Sequence, residues 1–445
     1  MLKMQTSERF NVVSDAGFSP ISYEDEPAIL RGLKKLKGKN IALHCHPANL
    51  VKFTTELQGV ASSVLLVPYD ACANFSCRVE KQLHLDLVLT DGIANVEHWK
   101  LSVNHVCKIP DSLAYDCTTP ETPIETQWLL ATSGTTGTPK IVAHTNESLT
   151  RTTSKSSQSQ PLSWGLLYDP ARFAGLQVVL QAVLSNAKLI VPTPDLDFEK
   201  KIDCLVTNGC TALSATPSLW RKILMTKAAQ RLDLVQITLG GEIADQRIIN
   251  SLVKQFPNAE VTHIFASTEA GVGFSVKDRQ AGFPLSWLES GVRGIDLKIS
   301  GQGTLCLKNT HINQFYLGEG GSIADMQGWI DTGDLVEIEN ARVQFKGRLN
   351  GAINIGGNKV IPEDVESEIL KVPGVFQVVV RAKSSSIAGS LVEALVVPVH
   401  DLEDTSSLVK SIKQHCKKVL PSFKVPAFVR LVKELEMGST GKMQR

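Results

Sequence analysis

Short apolar runs alternate with longer segments of mixed polarity along most of the chain. Runs of this kind, bounded by polar and turn residues, are typical of buried strands. In the segments between them, for example 218–226 and 244–256, apolar residues recur at spacings of three and four, which indicates helices. The alternation predicts an α/β fold in which helices join parallel strands at 41–43, 64–67, 87–89, 188–191, 212–214, 236–239 and 260–265.

The pattern changes after Ile299. Short apolar runs at 304–308 and 335–338 are separated by glycines, which predicts an antiparallel segment. From about Gly347 a compact α+β unit is predicted, because Pro362 opens a helical pattern with acidic residues in its first turn. Strands at 376–380 and 391–399 and a lysine-rich helix near 406–420 complete this unit.

The length of the chain supports two folding units. A chain of 445 residues exceeds the size of one ordinary hydrophobic core. We predict a large N-terminal domain, residues 1–348, of α/β sheets with an antiparallel subdomain, and a small C-terminal α+β domain, residues 349–445. The content of 43% apolar and 20% charged residues is that of a globular protein.

Charge and hydropathy argue against several classes of protein. Basic and acidic residues number 46 and 45, so the net charge of +1 favours neither nucleic acid nor an anionic membrane as a partner. The apolar stretch 175–192 is interrupted by polar side chains, and it predicts a buried helix followed by a strand instead of a membrane span. Residues 1–20 carry charges without an apolar core, unlike a secretory signal, so we expect a cytoplasmic protein.

Cysteine and histidine give no clear sign of a metal site. The nine cysteines form no CxxC pair, which argues against a disulfide framework and against a thiolate zinc site. His44, Cys45 and His46 are consecutive, and neighbours on a strand point to opposite faces. We therefore interpret these three residues as packing at the end of a strand.

A run rich in glycine and hydroxyl side chains follows the apolar residues 128–131. Its glycines allow the backbone to approach a ligand closely, its hydroxyls donate hydrogen bonds, and Lys140 adds positive charge, which together suit a polyphosphate. A surface loop of this composition is the plainer interpretation. Pro139 and Ile141, on either side of the lysine, do not fit the Walker pattern of P-loop NTPases. The run consists of Thr132, Ser133, Gly134, Thr135, Thr136, Gly137, Thr138, Pro139 and Lys140.

The order of residues in this run closely resembles the phosphate-binding signature of the adenylate-forming superfamily. This superfamily includes acyl-CoA synthetases, adenylation domains of peptide synthetases and luciferases. Further segments resemble its motifs in the same order over residues 125–445. The resemblance implies an N-terminal AMP-binding domain, a mobile C-terminal domain with a catalytic lysine, and the use of ATP and Mg²⁺.

Two segments resemble the motifs that surround the base and the α-phosphate. The segment 265–269 is similar to the family's Tyr-Gly-x-Thr-Glu element. The resemblance implies that Phe265 lies near adenine, that Thr268 meets the α-phosphate and that Glu269 holds magnesium, a hard cation that prefers oxygen ligands. The turn after the strand 236–239 is similar to the adenine-contacting turn and consists of Gly240, Gly241 and Glu242.

Three later segments resemble motifs for the ribose, the hinge and the thiol. Asp334 belongs to a Thr-Gly-Asp element whose carboxylate accepts hydrogen bonds from the ribose hydroxyls. Arg348 matches the Gly-Arg hinge, where the arginine reaches the nucleotide and the residue two positions later, here Asn350, is the swivel. Gly356 and Gly357 match the loop that lines the pantetheine tunnel in the CoA-using branch.

Lys442, near the end of the sequence, resembles the catalytic lysine of the family's Gly-x-x-Gly-Lys element, although a frayed basic tail is the plainer interpretation. The resemblance implies two half-reactions: a carboxylate attacks the α-phosphate of ATP, and a thiol then attacks the acyl-AMP. Between them the small domain would rotate about Asn350, removing Lys442 and bringing in the loop of Gly356.

The sequence leaves open which carboxylic acid is activated and which thiol accepts the acyl group. Arg172 could bind a second carboxylate, as in the succinylbenzoate used for menaquinone, and the chain is similar in size to O-succinylbenzoate–CoA ligase. Asp169 could instead hold a substrate ammonium group, or both residues could lie in a surface turn. We rank an aryl or acyl acid above an amino acid, and CoA above a carrier-protein phosphopantetheine. A non-catalytic nucleotide-binding protein is the third alternative, and we expect a monomer or a homodimer.

Overall fold

The computed structural model describes residues 12–13, 36–91, 106–108, 124–132, 139–153, 162–309, 315–318, 321–355, 358–385, 389–399, 405–436, 438 and 442–443. Within these ranges the strands form sheets of six, seven and five strands and two smaller sheets of two and three strands. The two largest sheets contain the α/β alternation that the sequence predicts.

The described α/β part of the chain extends from Val12 to Val276. Its strands are β1 (Val12–Val13), β2 (Asn40–Leu43), β3 (Ser63–Leu66), β4 (Leu87–Thr90), β5 (Val106–Lys108), β6 (Gln127–Ala131), β7 (Ile141–His144), β8 (Ser163–Gly165), β9 (Lys188–Ile190), β10 (Ala212–Ala215), β11 (Gln236–Gly240), β12 (Glu260–Ser267) and β13 (Gly271–Val276). Its helices are α1 (Pro47–Glu56), α2 (Ala73–Glu80), α3 (Asn146–Thr150), α4 (Phe173–Leu184), α5 (Phe198–Thr207), α6 (Pro217–Met225) and α7 (Gln246–Gln255).

Parallel pairing dominates both sheets, which confirms the predicted layout. The six-stranded sheet has the order β5-β4-β2-β3-β6-β7 and the seven-stranded sheet the order β1-β9-β8-β10-β11-β12-β13. Neighbours are parallel except at β6–β7 and β12–β13, which are antiparallel. Strands such as β3 and β10 are buried throughout, which explains their continuous apolar runs.

Helix α4 lies between the two sheets and joins their cores. Leu176 and Leu180 pack with residues of the six-stranded sheet, while Val178 and Val179 pack with residues around β8 and β9. A helix that is apolar on several faces is expected in such a buried position. The prediction of a buried helix followed by a strand within 175–192 is therefore confirmed, and no helix among the described residues has the length and apolarity to cross a membrane.

Helix α4 approaches the preceding loop so closely that a side chain at Gly175 is expected to destabilise the fold. A Cβ at Gly175 would overlap the carbonyl oxygen of Asp169. We expect Gly175→Ala to lower the free energy of unfolding by about 1–3 kcal/mol, as overpacking does elsewhere, measured by urea denaturation. Gly301→Ala is the matched control, since a Cβ there meets nothing within 4 Å. Equal stability of the two variants would contradict the expectation.

The segment after residue 280 forms the predicted antiparallel sheet. It contains β14 (Phe283–Pro284), α8 (Trp287–Ser290), β15 (Asp296–Ile299), β16 (Thr304–Lys308), β17 (Trp329–Glu339) and β18 (Arg342–Arg348). The strand order is β14-β18-β17-β16-β15, with antiparallel neighbours throughout. The register places Asp334 opposite Arg348, so two residues that the sequence assigns to the nucleotide are cross-strand neighbours.

The last part of the chain has a hydrophobic core of its own. Its elements are β19 (Ile353–Ile355), β20 (Asn358–Val360), α9 (Pro362–Leu370), β21 (Val375–Ser385), β22 (Gly389–Pro398), α10 (Thr405–Val419) and β23 (Phe428–Leu431). Pro362 begins α9, and Glu363 and Asp364 lie in its first turn, as predicted. Val365, Val380 and Ile412 are among the residues that form this core. The domain boundary between residues 348 and 349 stays a prediction.

The His44–His46 segment is packed, in agreement with the interpretation from the sequence. His44 and Cys45 are fully buried and His46 is 4% exposed. The backbone N–H of Ala48 donates to Nδ1 of His46 at 3.4 Å, so this histidine caps the start of α1. Among the described residues, no group of three or more His, Cys, Asp or Glu side chains is arranged to hold a metal ion.

Candidate active site

A large cleft of about 1750 Å³ collects most of the described residues that the sequence assigns to the nucleotide. Loops that follow β6, β10 and β11 contribute to its wall, as expected for an α/β sheet, in which ligands bind beyond the carboxyl ends of the strands. The antiparallel sheet and the last described residues of the chain close its other sides. The predicted residues that line the cleft are Thr132, Lys140, Gly240, Gly241, Thr268, Glu269, Arg348 and Lys442.

Two of the predicted loops are only partly covered by the described residues. The ends of the phosphate loop are joined, because the backbone N–H of Thr132 donates to the carbonyl oxygen of Lys140 at 2.8 Å. The predicted ligands Ser133, Gly134, Thr135, Thr136 and Gly137, and the predicted tunnel residues Gly356 and Gly357, lie outside the described residues. Their roles stay predictions.

Tyr316 joins Lys140 to Glu269, and the sequence analysis did not identify it. The Nζ atom of Lys140 lies 4.6 Å from the centroid of the Tyr316 ring, and the Tyr316 hydroxyl donates to Oε1 of Glu269 at 3.3 Å. Burial, and then the nearby Glu269 carboxylate, raise the pKa of Tyr316, so its hydroxyl stays protonated and acts as the donor. A backbone hydrogen bond from Leu317 to Ile141 holds this segment beside the phosphate loop.

We expect removal of the Tyr316 hydroxyl to cause a moderate loss of activity. Tyr316→Phe keeps the ring beneath Lys140 and leaves Glu269 without one hydrogen bond. A net hydrogen bond to a charged group contributes about 1.5–3 kcal/mol, so we expect about a 10- to 100-fold lower rate of acyl-AMP formation. Phe315→Leu, at an exposed neighbouring position, is the control. A variant as active as the wild type would show that the hydroxyl does not orient Glu269.

His144 supports the turn that contains Thr268 and Glu269. Its Nε2 lies 2.9 Å from the carbonyl oxygen of Thr268, which can only accept, so Nε2 carries the proton. Burial lowers the pKa of His144 to about 4, so the ring is neutral at physiological pH. The sequence analysis did not find this residue, because 124 positions separate it from Thr268.

Asp334 and Arg348 form an ion pair at the edge of the cleft. The Nε atom of Arg348 lies 2.9 Å from Oδ1 of Asp334, and the backbone N–H of Asp334 donates to the Thr332 hydroxyl at 3.1 Å. Burial raises the pKa of Asp334, while Arg348 acts in the opposite direction. Thr332, Gly333 and Arg348 line the cleft, whereas Asp334 is not among its lining residues. Its contact with the ribose stays a prediction.

Phe265 does not line the cleft. Its ring stacks on Phe274 at a centroid distance of 5.3 Å and on Phe345 at 5.2 Å. Its strand neighbours Ile264 and Ala266 contribute to the cleft wall instead. A contact of Phe265 with adenine also stays a prediction, and it has no support from this placement.

Lys442 reaches the cleft although it lies 11 residues beyond Leu431, the end of β23. Its Cε atom lies 3.3 Å from the place that a Cβ on Gly241 would occupy. Burial, and then the positive charge of Arg348, lower the pKa of Lys442, whereas Glu242, Asp334 and Glu269 act in the opposite direction. The lysine therefore lies among the predicted nucleotide residues.

Comparison with known families agrees with this geometry. The family model described as AMP-binding enzyme matches residues 61–317, more than half of the chain, and the model of the AMP-binding enzyme C-terminal domain matches residues 364–442. The chain belongs to the AMP-binding enzyme family. The match to the C-terminal model ends at Lys442, the residue that the structure brings into the cleft.

The names of the relatives of this AMP-binding enzyme specify different acceptors of the acyl group, CoA in one and a carrier protein in another. A long-chain-fatty-acid–CoA ligase of Mycobacterium tuberculosis is 27% identical over 336 residues, 71% of this chain and 65% of that protein. A D-alanine–D-alanyl carrier protein ligase of Staphylococcus aureus is 24% identical over 347 residues, 72% of this chain and 70% of that protein. The match therefore spans slightly less than two thirds of the length of the mycobacterial ligase.

Solved structures support the fold. The o-succinylbenzoate coenzyme A synthetase of Bacillus subtilis, in complex with ATP and magnesium ion, matches with a TM-score of 0.74 at 18% identity, over 99% of this chain and 96% of that chain. MatB from Rhodopseudomonas palustris with ATP bound matches with a TM-score of 0.78 at 19% identity, over 99% and 95%. These matches confirm a large N-terminal part followed by a small C-terminal part.

Arg172 and Asp169 of this AMP-binding enzyme both line the cleft, in a turn closed by the backbone hydrogen bond from the Arg172 N–H to the carbonyl oxygen of Asp169 at 3.0 Å. The Asp169 carboxylate accepts the backbone N–H of Tyr69 at 3.3 Å and that of Ala171 at 2.9 Å. Burial raises the pKa of Asp169, while these hydrogen bonds and Arg172 oppose the shift. Arg172 lies 4.0 Å from Asp70. The carboxylate is thus engaged in holding its own loop.

Two further arginines in the cleft wall, Arg151 and Arg293, were not identified from the sequence. The guanidinium of Arg151 donates to the carbonyl oxygen of Val272 at 2.8 Å and to that of Arg293 at 3.4 Å. Burial and the charge of Arg293 lower the pKa of Arg151. The two arginines are 142 positions apart, and no motif marks either of them. They add positive charge to a cleft that must accept anionic substrates if it binds ATP.

Proposed function

We propose that this chain is an ATP-dependent acid–thiol ligase that forms AMP. It activates a carboxylic acid as an acyl-AMP and then transfers the acyl group to a thiol. The observation that carries the proposal is the presence of Lys442 in one cleft with Lys140, Thr268 and Glu269. Two cations and a carboxylate around one space suit a bound triphosphate with a divalent cation.

The first half-reaction follows from these groups. An oxygen of the substrate carboxylate forms a bond to the α-phosphorus of ATP, and the bond to pyrophosphate breaks. Lys140 lies beside the phosphate loop and contributes charge toward the β- and γ-phosphates, and Lys442 stabilises the charge that develops between the carboxylate and the α-phosphate. Thr268 orients the α-phosphate, and the bond from Tyr316 fixes the Glu269 carboxylate.

Glu269 fits the role of a magnesium ligand. Carboxylate oxygens are preferred by Mg²⁺, and one oxygen of Glu269 is oriented by Tyr316 while the side chain lines the cleft. The cation would neutralise charge on the phosphates during the transfer.

In the second half-reaction the sulfur of a thiolate forms a bond to the acyl carbon, and AMP leaves. We propose that residues 349–445 rotate about Asn350 between the two steps, so that Lys442 withdraws and the loop of Gly356 and Gly357 approaches. Asn350 lines the cleft at the junction of the two parts of the chain, which suits a hinge. The roles of Gly240 and Gly241 beside adenine and of Asp334 at the ribose belong to the same proposal.

The acceptor we propose is CoA, with a carrier-protein phosphopantetheine as the alternative. The name of one relative supports CoA and the name of another supports a carrier protein. For the acid, the engagement of Asp169 with two backbone N–H groups supports an aryl or acyl acid over an amino acid, because this carboxylate is the candidate partner of an ammonium group. A cytoplasmic location and a monomeric or homodimeric state complete the proposal.

The test is an ATP–pyrophosphate exchange screen over aryl, fatty, dicarboxylic and amino acids. We expect exchange with at least one aryl or acyl acid. CoA and a phosphopantetheinylated carrier protein are then supplied separately to the acyl-AMP formed. Absence of exchange with every acid would contradict the ligase proposal, and transfer to the carrier protein but not to CoA would replace the proposed acceptor by the alternative.

A further inference from the structure

The Glu242 carboxylate accepts two backbone hydrogen bonds, one from helix α6 and one from the end of the chain. Its Oε2 accepts the backbone N–H of Ser218 at 3.0 Å, and its Oε1 accepts the backbone N–H of Met443 at 3.1 Å. Gly240 and Gly241 line the cleft, but Glu242 does not. The predicted contact of Glu242 with adenine thus has no support from its position, and its contacts point to another role.

One of these hydrogen bonds fixes the carboxylate in place. Ser218 lies in the first turn of α6, where backbone N–H groups have no partner within the helix. A carboxylate at this end is also favoured by the helix dipole. Thr216 caps the same turn by accepting the N–H of Leu219 at 3.1 Å. Glu242 is therefore held against a rigid element, and its second oxygen is free to face the end of the chain.

The second hydrogen bond acts on the residue next to Lys442. Because Met443 directly follows the lysine, its backbone position determines where the Lys442 side chain begins. The N–H of Gly438 donates to the carbonyl oxygen of Lys442 at 2.8 Å, so both sides of this lysine are tied by backbone hydrogen bonds. Lys442 also lies within electrostatic reach of the Glu242 charge.

Other contacts show that α6 is the surface on which the C-terminal part docks. Nε2 of Gln377 donates to the carbonyl oxygen of Ser218 at 3.2 Å. Met225 and Met443 pack against a small apolar cluster of the C-terminal part, formed around Val379 and Val397. These contacts bring the two parts together, and within the described residues the bond from Met443 to Glu242 is the one between the parts that involves the backbone beside Lys442.

We propose that Glu242 is a positioning residue that docks the segment carrying Lys442 through the Met443 N–H, and so serves acyl-AMP formation but not thioester formation. The inference rests on the proposed function. A carboxylate suits this role, because it accepts both N–H groups at once, whereas an amide has only one acceptor oxygen. Of the two hydrogen bonds of Glu242, rotation of the C-terminal part would break the bond to Met443 and leave the bond to Ser218 intact.

The sharpest test removes the donor instead of the carboxylate. Met443→Pro lacks the backbone N–H and Met443→Ala keeps it, so the pair separates loss of the donor from loss of side-chain packing. Proline also restrains the backbone of Lys442, and the double variant with Glu242→Ala tests that contribution. We expect Met443→Pro to reduce the kcat of ATP–pyrophosphate exchange about 10- to 100-fold relative to Met443→Ala, as for the loss of a bond to a charged acceptor. Thioester formation from synthetic acyl-AMP should change less than about twofold, since that step proceeds without the docked lysine.

Glu242→Ala should give the same division between the two half-reactions, and the double variant Glu242→Ala with Met443→Pro should be no worse than either single variant. Glu434→Gln is the control, because Glu434 is an exposed acid of the C-terminal part that lies 3.9 Å from Lys222 of α6. We expect its exchange activity to match that of the wild type. Equal losses in both half-reactions for Glu242→Ala would mean a structural role and would overturn the proposal.

Limited trypsin digestion gives a readout that does not need activity. A docked segment protects the bond after Lys442, so Glu242→Ala should be cleaved there faster than the wild type, with Glu434→Gln unchanged. Met443→Pro is left out of this test, because trypsin does not cleave a Lys–Pro bond. Cleavage at the same rate in the wild type, Glu242→Ala and Glu434→Gln would overturn the inference. If the wild type failed to exchange with any acid while the variants still differed in cleavage, the proposed function would fail and the docking contact would stand.

Discussion

Lys442→Ala is expected to lower the rate of acyl-AMP formation about 100- to 1,000-fold, the range observed when one preorganised charge-stabilising donor is removed. The side chain lines the cleft beside Gly241 and lies within electrostatic reach of Arg348, Asp334 and Glu269. Its charge is therefore available where negative charge shifts from the carboxylate to the phosphates. ATP–pyrophosphate exchange measures this step.

The same variant should form the thioester from synthetic acyl-AMP at a rate within about threefold of the wild type, because a lysine needed only for adenylation adds no binding energy in the second transition state. Lys433→Ala, an exposed lysine on the same segment, is the matched control and should leave both rates unchanged. Equal loss of both half-reactions in Lys442→Ala would contradict the division of labour between the two steps.

Much of the fold could be predicted from the sequence, because buried parallel strands have an unmistakable pattern. The run at 64–67 is apolar throughout and the run at 212–214 is apolar except for Ser214, and the structure shows why: β3 and β10 are buried along their whole length. The start of α9 at Pro362 was predicted from local chemistry alone, since proline and early carboxylates suit a helix N-terminus. Strand order was not predictable, because it depends on contacts that are distant in the sequence.

Several residues of the candidate cleft could be predicted from motifs that are contiguous in the sequence. Lys140, Thr268 and Glu269 belong to short segments with a recognisable order, and the structure brings them to one cleft. Tyr316 and His144 act on these segments from far along the chain, through single contacts with Glu269 and Thr268. A tyrosine and a histidine without a local pattern cannot be distinguished from packing residues by spacing alone.

Glu242 illustrates a different limit. Its position after two glycines predicts a place beside the nucleotide, and the glycines do line the cleft. The positive φ of 80° at Gly241 turns the chain there, and Glu242 lies behind the turn, against α6 and Met443. Gly241 therefore lines the cleft while the next residue, Glu242, contacts α6 and the end of the chain. A linear motif does not show on which side of the turn each residue lies.

Glu269→Gln should produce the second large effect. The amide keeps the size of the side chain and can still accept the Tyr316 hydroxyl, but it has no charge and one acceptor oxygen fewer for a cation. Loss of a carboxylate ligand is expected to lower the rate of acyl-AMP formation by at least about 100-fold at ordinary magnesium concentrations. Exchange activity, measured as magnesium is raised, should recover in part, because added cation compensates for a weaker site.

The dependence on magnesium separates this role from a structural one. Tyr316→Phe removes the hydrogen bond and keeps the charge of Glu269, so its smaller loss should come with a much smaller change in the magnesium concentration for half-maximal exchange. Glu289→Gln, at an exposed position, should match the wild type in both quantities. If Glu269→Gln lost activity with an unchanged magnesium requirement, the carboxylate would be orienting Tyr316 and Lys140 instead of holding the cation, because the ring of Tyr316 contacts both.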